Sequence, residues 1–363
     1  MFVWTTCWVW SIALAAPQTV HDVEGATVEV GTPIRIQRSE KERHWFPHVA
    51  QMDPKRLTVT MSRAPDEINP QPVPSIYQIT EDGGRTWAPP RIWPESGNSW
   101  TRLKDGTALW LSYLLTYQDE TVARCRVGRS MDGVNYTWSD GTVYVAPNRF
   151  DHWEKGTASF VFHRAILERP DGGLLATMYG RFVGDASYRS ILVRSTDGGT
   201  SWKWLSTIAY DPDIKGEGPC EPDLVQLADG DLFCMMRVNS AAPMYWTRST
   251  DEGRSWCTPV RMPEEYAALS VDPDLLLLSN GMLACSAGRP NCHLMLSLDG
   301  KGTEWTRPVP VFLGPTTSYT SIVEVAPGEI LYVHDVTSSG WESPKEGQFH
   351  EVRAVPVSIK LNR

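Results

Sequence analysis

The sequence predicts an all-β chain folded as a six-bladed β-propeller. Three observations lead there: a short box of the pattern S/T-x-D-x-G-x-T/S-W that recurs along the chain, a second series of turns that falls ahead of the boxes, and a composition rich in turn-formers and bulky anchors. The 363 residues include 16 Trp, 28 Gly and 27 Pro, which suits many short strands better than long helices. Length alone allows two or three domains or one large β architecture.

Each predicted blade is an inner hairpin followed by an outer hairpin whose turn is the box. The first inner turn is Asp53-Pro54, and its box runs from Thr80 through Asp82, Gly84 and Thr86 to Trp87. The second pairs Asp105-Gly106 with a box stretched by one residue, Ser130 to Trp138 around Asp132. The third pairs Asp171-Gly172 with Ser195 to Trp202 around Asp197, and the fourth Asp229-Gly230 with Ser249 to Trp256 around Asp251. The fifth pairs Asn280-Gly281 with Ser297 to Trp305 around Asp299, again stretched. In each box Asp accepts hydrogen bonds from its own turn, Gly takes a positive φ angle and Trp packs beneath. The sixth inner turn, Pro327-Gly328, has no box after it, so Glu351 to Leu361 and Thr27 to Gln37 are expected to supply its outer strands and close the ring. No stretch reads as a linker, and residues 17–363 are expected to form a single domain.

A formal charge of −9 has the wrong sign for neutralising phosphates and excludes nucleic acid as the expected partner. Residues 1–16 carry no charge, are mostly apolar and offer in Ala13-Leu14-Ala15 the small residues that a signal peptidase reads, the pattern of a cleaved export signal. The stretch is short for a membrane span, and no later one is apolar enough, so the expected location is secreted or periplasmic. Removing it leaves Cys125, Cys220, Cys234, Cys257, Cys285 and Cys292, none in CxxC spacing. Buried thiols and one or two bridges both remain open, ahead of a zinc site.

The repeat register points at a site. Eight residues before the inner turns, where each innermost strand should begin at the funnel rim, stand Trp45, Gly97, His163, Glu221, Asp272 and Tyr319. Eight to ten residues after the same turns stand Arg63, Tyr113, Arg181, Arg237, Arg289 and Asp335. Carboxylates, a tyrosine, a histidine and several arginines thus converge on one concavity, a composition that calls for an anionic ligand.

These residues resemble the exo-sialidases (neuraminidases), the superfamily of Asp-box or BNR-repeat propellers, over essentially the whole chain after the signal. The segment Glu221 to Arg237 resembles the family's catalytic Glu followed by an arginine of the carboxylate clamp. Arg289-Pro290-Asn291-Cys292-His293 is similar to the next clamp arginine, and Ser318-Tyr319-Thr320-Ser321 to the tyrosine nucleophile motif. Asp335 stands where the family has a supporting Glu. Ser62-Arg63 followed by Asp66 occupies the region of an arginine and the acid/base, with Glu67 as a rival. One departure stands out: in His44-Trp45-Phe46-Pro47, Trp45 takes the place of the first clamp arginine, and Arg43, two residues earlier, is its nearest substitute.

The resemblance implies a retaining exo-glycosidase that releases terminal sialic acid or a related acidic sugar from glycoconjugates, without metal or other cofactor. Tyr319 would attack, Glu221 would take its proton, and Asp66 would protonate the leaving oxygen and later activate water. A neutral nucleophile avoids a charge clash with a carboxylate at the anomeric carbon. Arg237 and Arg289 would hold that carboxylate, while His163, Arg181 and Asp272 are expected to tune the choice of sugar. Two alternatives stay open: a different, non-sialic glycoside, and a glycan-binding propeller without catalysis. Oligomeric state is not legible.

Overall fold

The computed structural model describes residues 19–65, 73–151, 160–267 and 269–362; the expected export signal, Asp66 and Glu67 lie outside the described residues. Apart from one 3-10 turn at Glu264–Tyr266, regular structure among the described residues is all strand. It is organised as units of four antiparallel strands. The first unit is β4 (Trp45–Gln51), β5 (Leu57–Ser62), β6 (Ser75–Thr80) and β7 (Arg91–Trp93). The second is β8 (Ser99–Arg102), β9 (Ala108–Leu111), β11 (Val122–Ser130) and β12 (Thr137–Tyr144), with the short β10 (Thr116–Tyr117) on the side of β11. The third is β13 (Val161–Glu168), β14 (Leu174–Gly180), β15 (Arg189–Ser195) and β16 (Ser201–Ala209), joined to the second by a parallel pairing of β12 with β16. The fourth is β17 (Cys220–Gln226), β18 (Leu232–Arg237), β19 (Tyr245–Ser249) and β20 (Val260–Arg261), and the fifth β21 (Val271–Leu277), β22 (Leu283–Gly288), β23 (Cys292–Ser297) and β24 (Val309–Phe312).

The last unit joins the two ends of the chain. β25 (Thr320–Ala326), β26 (Glu329–Thr337) and β27 (His350–Leu361) are completed by β2 (Ala26–Val30) and β3 (Ile34–Ser39), both antiparallel to β27, with β1 (Thr19–Val23) outside β2. The early strand expected over Thr27 to Gln37 is therefore two strands. Pro33 lies between them, where it has no N–H to give to the ladder, and Gly31 N bridges the gap by donating to Pro356 O at 2.8 Å.

The core lies between units. Each neighbouring pair encloses one apolar cluster, from Ala50, Trp93 and Trp110 between the first and second to Leu278, Leu294, Ile322 and Tyr332 between the fifth and last. A further cluster, with Val49, Leu57, Val333 and Val352, joins the last unit to the first. Middle strands such as β18 (LFCMMR) and β22 (LACSAG) are buried along their whole length because both faces meet another sheet.

The boxes form the expected turns. Asp251 accepts from Ser255 N at 2.8 Å and from the Ser255 hydroxyl at 2.6 Å. Those bonds and the Ser249 hydroxyl hold its carboxyl down at about 2. Asp82, Asp132, Asp197 and Asp299 accept from their own turns in the same way. Gly253 has φ +81°, and a Cβ there would meet Leu192 Cδ2 at 2.3 Å, so the position excludes side chains twice over. Trp87, Trp202 and Trp305 donate to the box glycine carbonyl, whereas Trp256 donates to Ser206 Oγ at 3.0 Å.

The structure corrects the register at two positions. Trp45 is not at the rim: its ring is fully buried and donates to Ala64 O at 3.0 Å, and Phe46 takes the rim position. Likewise Arg164 rather than His163 matches Glu221 and Asp272 in backbone conformation. Trp45 packs on Phe46, Trp341 and His350 at 4.8, 5.5 and 5.7 Å. Trp45→Ala is expected to cost about 3–5 kcal/mol in urea unfolding, and a loss below about 1 kcal/mol would contradict this packing. The cysteines among the described residues are free thiols, buried except for Cys257. Among the described residues no helix is long and apolar enough to cross a membrane.

Candidate functional site

Bulges at the start of the innermost strands build the site. Phe46, Glu221 and Asp272 have φ of 50°, 46° and 50°, and Pro47, Pro222 and Pro273 follow them. At each, the pairing register slips by a residue, between Trp45 and His48, Cys220 and Asp223, and Val271 and Asp274. A bulge re-aims its side chain, and proline is tolerated there because the ladder is already interrupted. Arg164 makes a similar break in β13, with φ 51°. The freed amides are bonded across units: Asp272 N donates to Glu221 Oε2 at 3.0 Å, Phe46 N to Asp335 Oδ2 at 3.1 Å and Arg164 N to Asn98 Oδ1 at 3.1 Å.

Tyr319, Glu221, Arg237 and Arg289 come together, although 98 residues separate the first two. The Tyr319 hydroxyl donates to Glu221 Oε1, which also accepts from Arg237 Nη1 at 2.8 Å. Burial, then the neighbouring Glu221 carboxylate, pushes the Tyr319 hydroxyl well above the ordinary tyrosine range. Glu221 is 4% exposed, whereas Tyr319 is only partly buried. Arg237 Nη2 donates to Glu217 Oε1 at 2.8 Å and to Ser240 Oγ at 3.3 Å. Ser240 Oγ also accepts from Arg289 Nη1 at 2.9 Å, and Arg289 Nη2 donates to Thr317 O at 2.9 Å. Phe46 meets Tyr319 edge-on at 4.7 Å, and the exposed Trp341 lies 5.1 Å from the Arg289 guanidinium.

Next to this group lies a buried polar layer. Arg164 donates through Nε and Nη2 to the two Asp272 oxygens, reaches Thr320 O at 2.6 Å and pairs with Asp274 at 3.0 Å. Burial alone would raise the Asp272 carboxyl, but Arg164 and His163 outweigh it and hold it low. His163 Nε2 lies 3.3 Å from Asp272, and Nδ1 lies 3.2 Å from Pro222 O. Asp223 and Asp274 accept the Leu275 and Ile322 amides of the following units at 2.6 and 2.8 Å.

Other residues expected at the rim lie elsewhere. Asp335 is buried and accepts from Thr316 Oγ1, Thr317 N and Thr317 Oγ1 at 2.7, 2.9 and 2.5 Å, so it braces the segment before Tyr319. Arg63 donates to Pro74 O and pairs with Glu42. Arg43 donates to Trp341 O at 3.4 Å, lies 4.0 Å from Glu342 and sits over the Trp45 ring at 5.3 Å. Arg181 pairs with Asp151 at 3.2 Å. Arg164, Glu217, Ser240, Phe46 and Trp341 were not anticipated; the recurring x-Pro pairs before Asp or His were the signal for the bulges.

Residues 95–334 match the BNR repeat-like domain family. The chain belongs to that family. A comparison with curated proteins by sequence finds no match. Among solved structures, this BNR repeat-like chain is similar to a protein of unknown function from Dyadobacter fermentans, with 17% identity, TM-score 0.71 and coverage of 92% of this chain and 99% of that one. It is similar to an α-L-arabinanase from Penicillium chrysogenum, solved with arabinobiose, at 16% identity and TM-score 0.65 over 90% and 98% of the chains. A sialidase from Streptococcus pneumoniae aligns at 11% identity and TM-score 0.63 over 90% and 70%. At these identities the likeness is one of fold.

Proposed function

We propose that this chain is a retaining exo-glycosidase on a six-bladed propeller, with Tyr319 as nucleophile and Glu221 as its base. The hydrogen bond from the Tyr319 hydroxyl to Glu221 Oε1 carries the reading. The propeller is supported by the closure of the last unit onto the first through the two chain ends. Tyr319 Oη attacks the anomeric carbon as its proton passes to Glu221, and the bond to the leaving oxygen breaks as that oxygen takes a proton from the acid, for which Asp66 and Glu67 are the candidates. The same group then deprotonates water, which displaces Tyr319; the tyrosinate recovers its proton from Glu221. Arg237 stays bonded to Glu221 throughout and steadies the charge that moves between the two oxygens. Export by residues 1–16 and one domain over 17–363 complete the proposal.

Sialic acid or a related acidic sugar is the substrate that the paired Arg237 and Arg289 support. A second reading, a non-sialic glycoside, is favoured by the buried Trp45 and by Phe46 at the rim, which replace a cationic arm with an apolar wall. Arabinan-type sugars belong in its panel because the Penicillium arabinanase shares the fold. Release of a fluorogenic aglycone from α-sialoside, uronide and neutral glycosides by the purified protein tests both. Turnover of any one of them is the expected result, and silence across the panel would favour a binding propeller.

A further inference from the structure

We propose that Glu217 occupies the anion-binding arm of Arg237 from within the chain, so that the site selects a glycoside with no carboxylate on its anomeric carbon and rejects sialosides. The inference rests on the glycosidase reading and takes its second, non-sialic branch, because the Arg237 arm that favours an acidic sugar is already occupied. Its physical content is a count of donors. The two terminal nitrogens of an arginine carry four hydrogens, and Arg237 directs them at four acceptors: Glu221 and Tyr319 from Nη1, Glu217 and Ser240 from Nη2. An incoming carboxylate finds no free fork on Arg237 unless Glu217 leaves.

Glu217 is built into this place. It sits between Gly216 and Gly218, both at positive φ, and its backbone is pinned on both sides, N to Val238 O and O from Tyr188 N, each at 2.8 Å. Its side chain is 40% exposed against 10% for Arg237, so Glu217 is the more solvent-facing of the pair. The charges of Glu217 and Glu221 balance those of Arg237 and Arg289, which removes the net positive field that an acidic sugar needs. A displaced Glu217 would also remain beside the ligand carboxylate as a like charge. Arg289 alone makes at most a single arm, because Ser240 and Thr317 already take one hydrogen from each of its terminal nitrogens and only the remaining one on each is left for a ligand. At the third arm's position stands the buried Trp45, and Arg43 lies over that ring with its Nε on Trp341 O.

The experiment is a calorimetric titration of the purified chain with 2,3-dehydro-N-acetylneuraminic acid, in the native protein, Glu217→Ala and Glu217→Gln. Alanine frees the arm and removes the charge; glutamine removes the charge alone and keeps the side chain's packing. Glu217→Ala is expected to bind the acid at least about tenfold more tightly than the native protein, with a smaller gain for Glu217→Gln, and both gains should shrink at high salt. Sub-millimolar binding by the native protein, or no gain in either variant, overturns the proposal. Binding is read without turnover, so a protein silent on every glycoside would defeat the catalytic reading while leaving this result interpretable.

Discussion

Tyr319→Phe is expected to lower turnover by about a thousandfold or more while leaving the fold intact. The substitution removes one oxygen and keeps the ring that packs edge-on against Phe46 at 4.7 Å. What disappears is the atom that attacks, together with the hydrogen bond that feeds its proton to Glu221. Glu221→Gln should act in the same direction by about 10²- to 10⁴-fold, because an amide cannot take the proton. The burial that raises the Tyr319 hydroxyl keeps it protonated at neutral pH, so the loss of either partner stops the same step. Comparing kcat with the urea midpoint separates chemistry from stability. A Tyr319→Phe enzyme within tenfold of the native rate would remove tyrosine from the mechanism.

The second large effect is expected at Arg164. Its guanidinium is buried next to the site and satisfies Asp272 through two nitrogens and Asp274 through a third. Burial and the mutual repulsion of two acids raise the Asp223 carboxyl to about 8, and Arg164 is the cation that opposes this. Arg164→Met leaves Asp272 with an uncompensated buried charge and is expected to cost about 3–5 kcal/mol. Adding Asp272→Asn removes that charge and should return part of the loss, a non-additivity that a double-mutant cycle in urea measures directly. Equal losses in the single and double variants would show that Arg164 acts through packing alone.

The architecture was legible because its determinants are local. Each box carries its own Asp, Gly and Trp, and the turn forms from those few residues, as Asp251, Ser255 and Gly253 illustrate. The pairing of the two chain ends was legible from a missing box after Pro327-Gly328, since a hairpin without partners requires strands from elsewhere, and β27 with β2 and β3 supplies them. Counting along strands failed where strands are irregular. The bulges put Phe46 and Arg164 at positions that a fixed offset of eight assigned to Trp45 and His163.

In the site, Tyr319, Glu221, Arg237 and Arg289 were legible because the repeat brings equivalent strand ends to one place. Glu217 was not, since it lies in the connection between β16 and β17, outside the repeat register, and only its flanking glycines mark it. Arg164 was hidden for another reason. An arginine within the apolar run of β13 reads as a strand residue with one polar face, and its meaning depends on Asp272 and Asp274, more than a hundred residues later.

The most direct test of the account is to react the protein with an activated fluoroglycoside of whichever sugar the panel turns over, and to locate the trapped adduct by peptide mass spectrometry. The account predicts a single glycosyl group on the Tyr319 peptide, lost in Tyr319→Phe. An adduct on Glu221, or turnover with no covalent adduct at all, would contradict it.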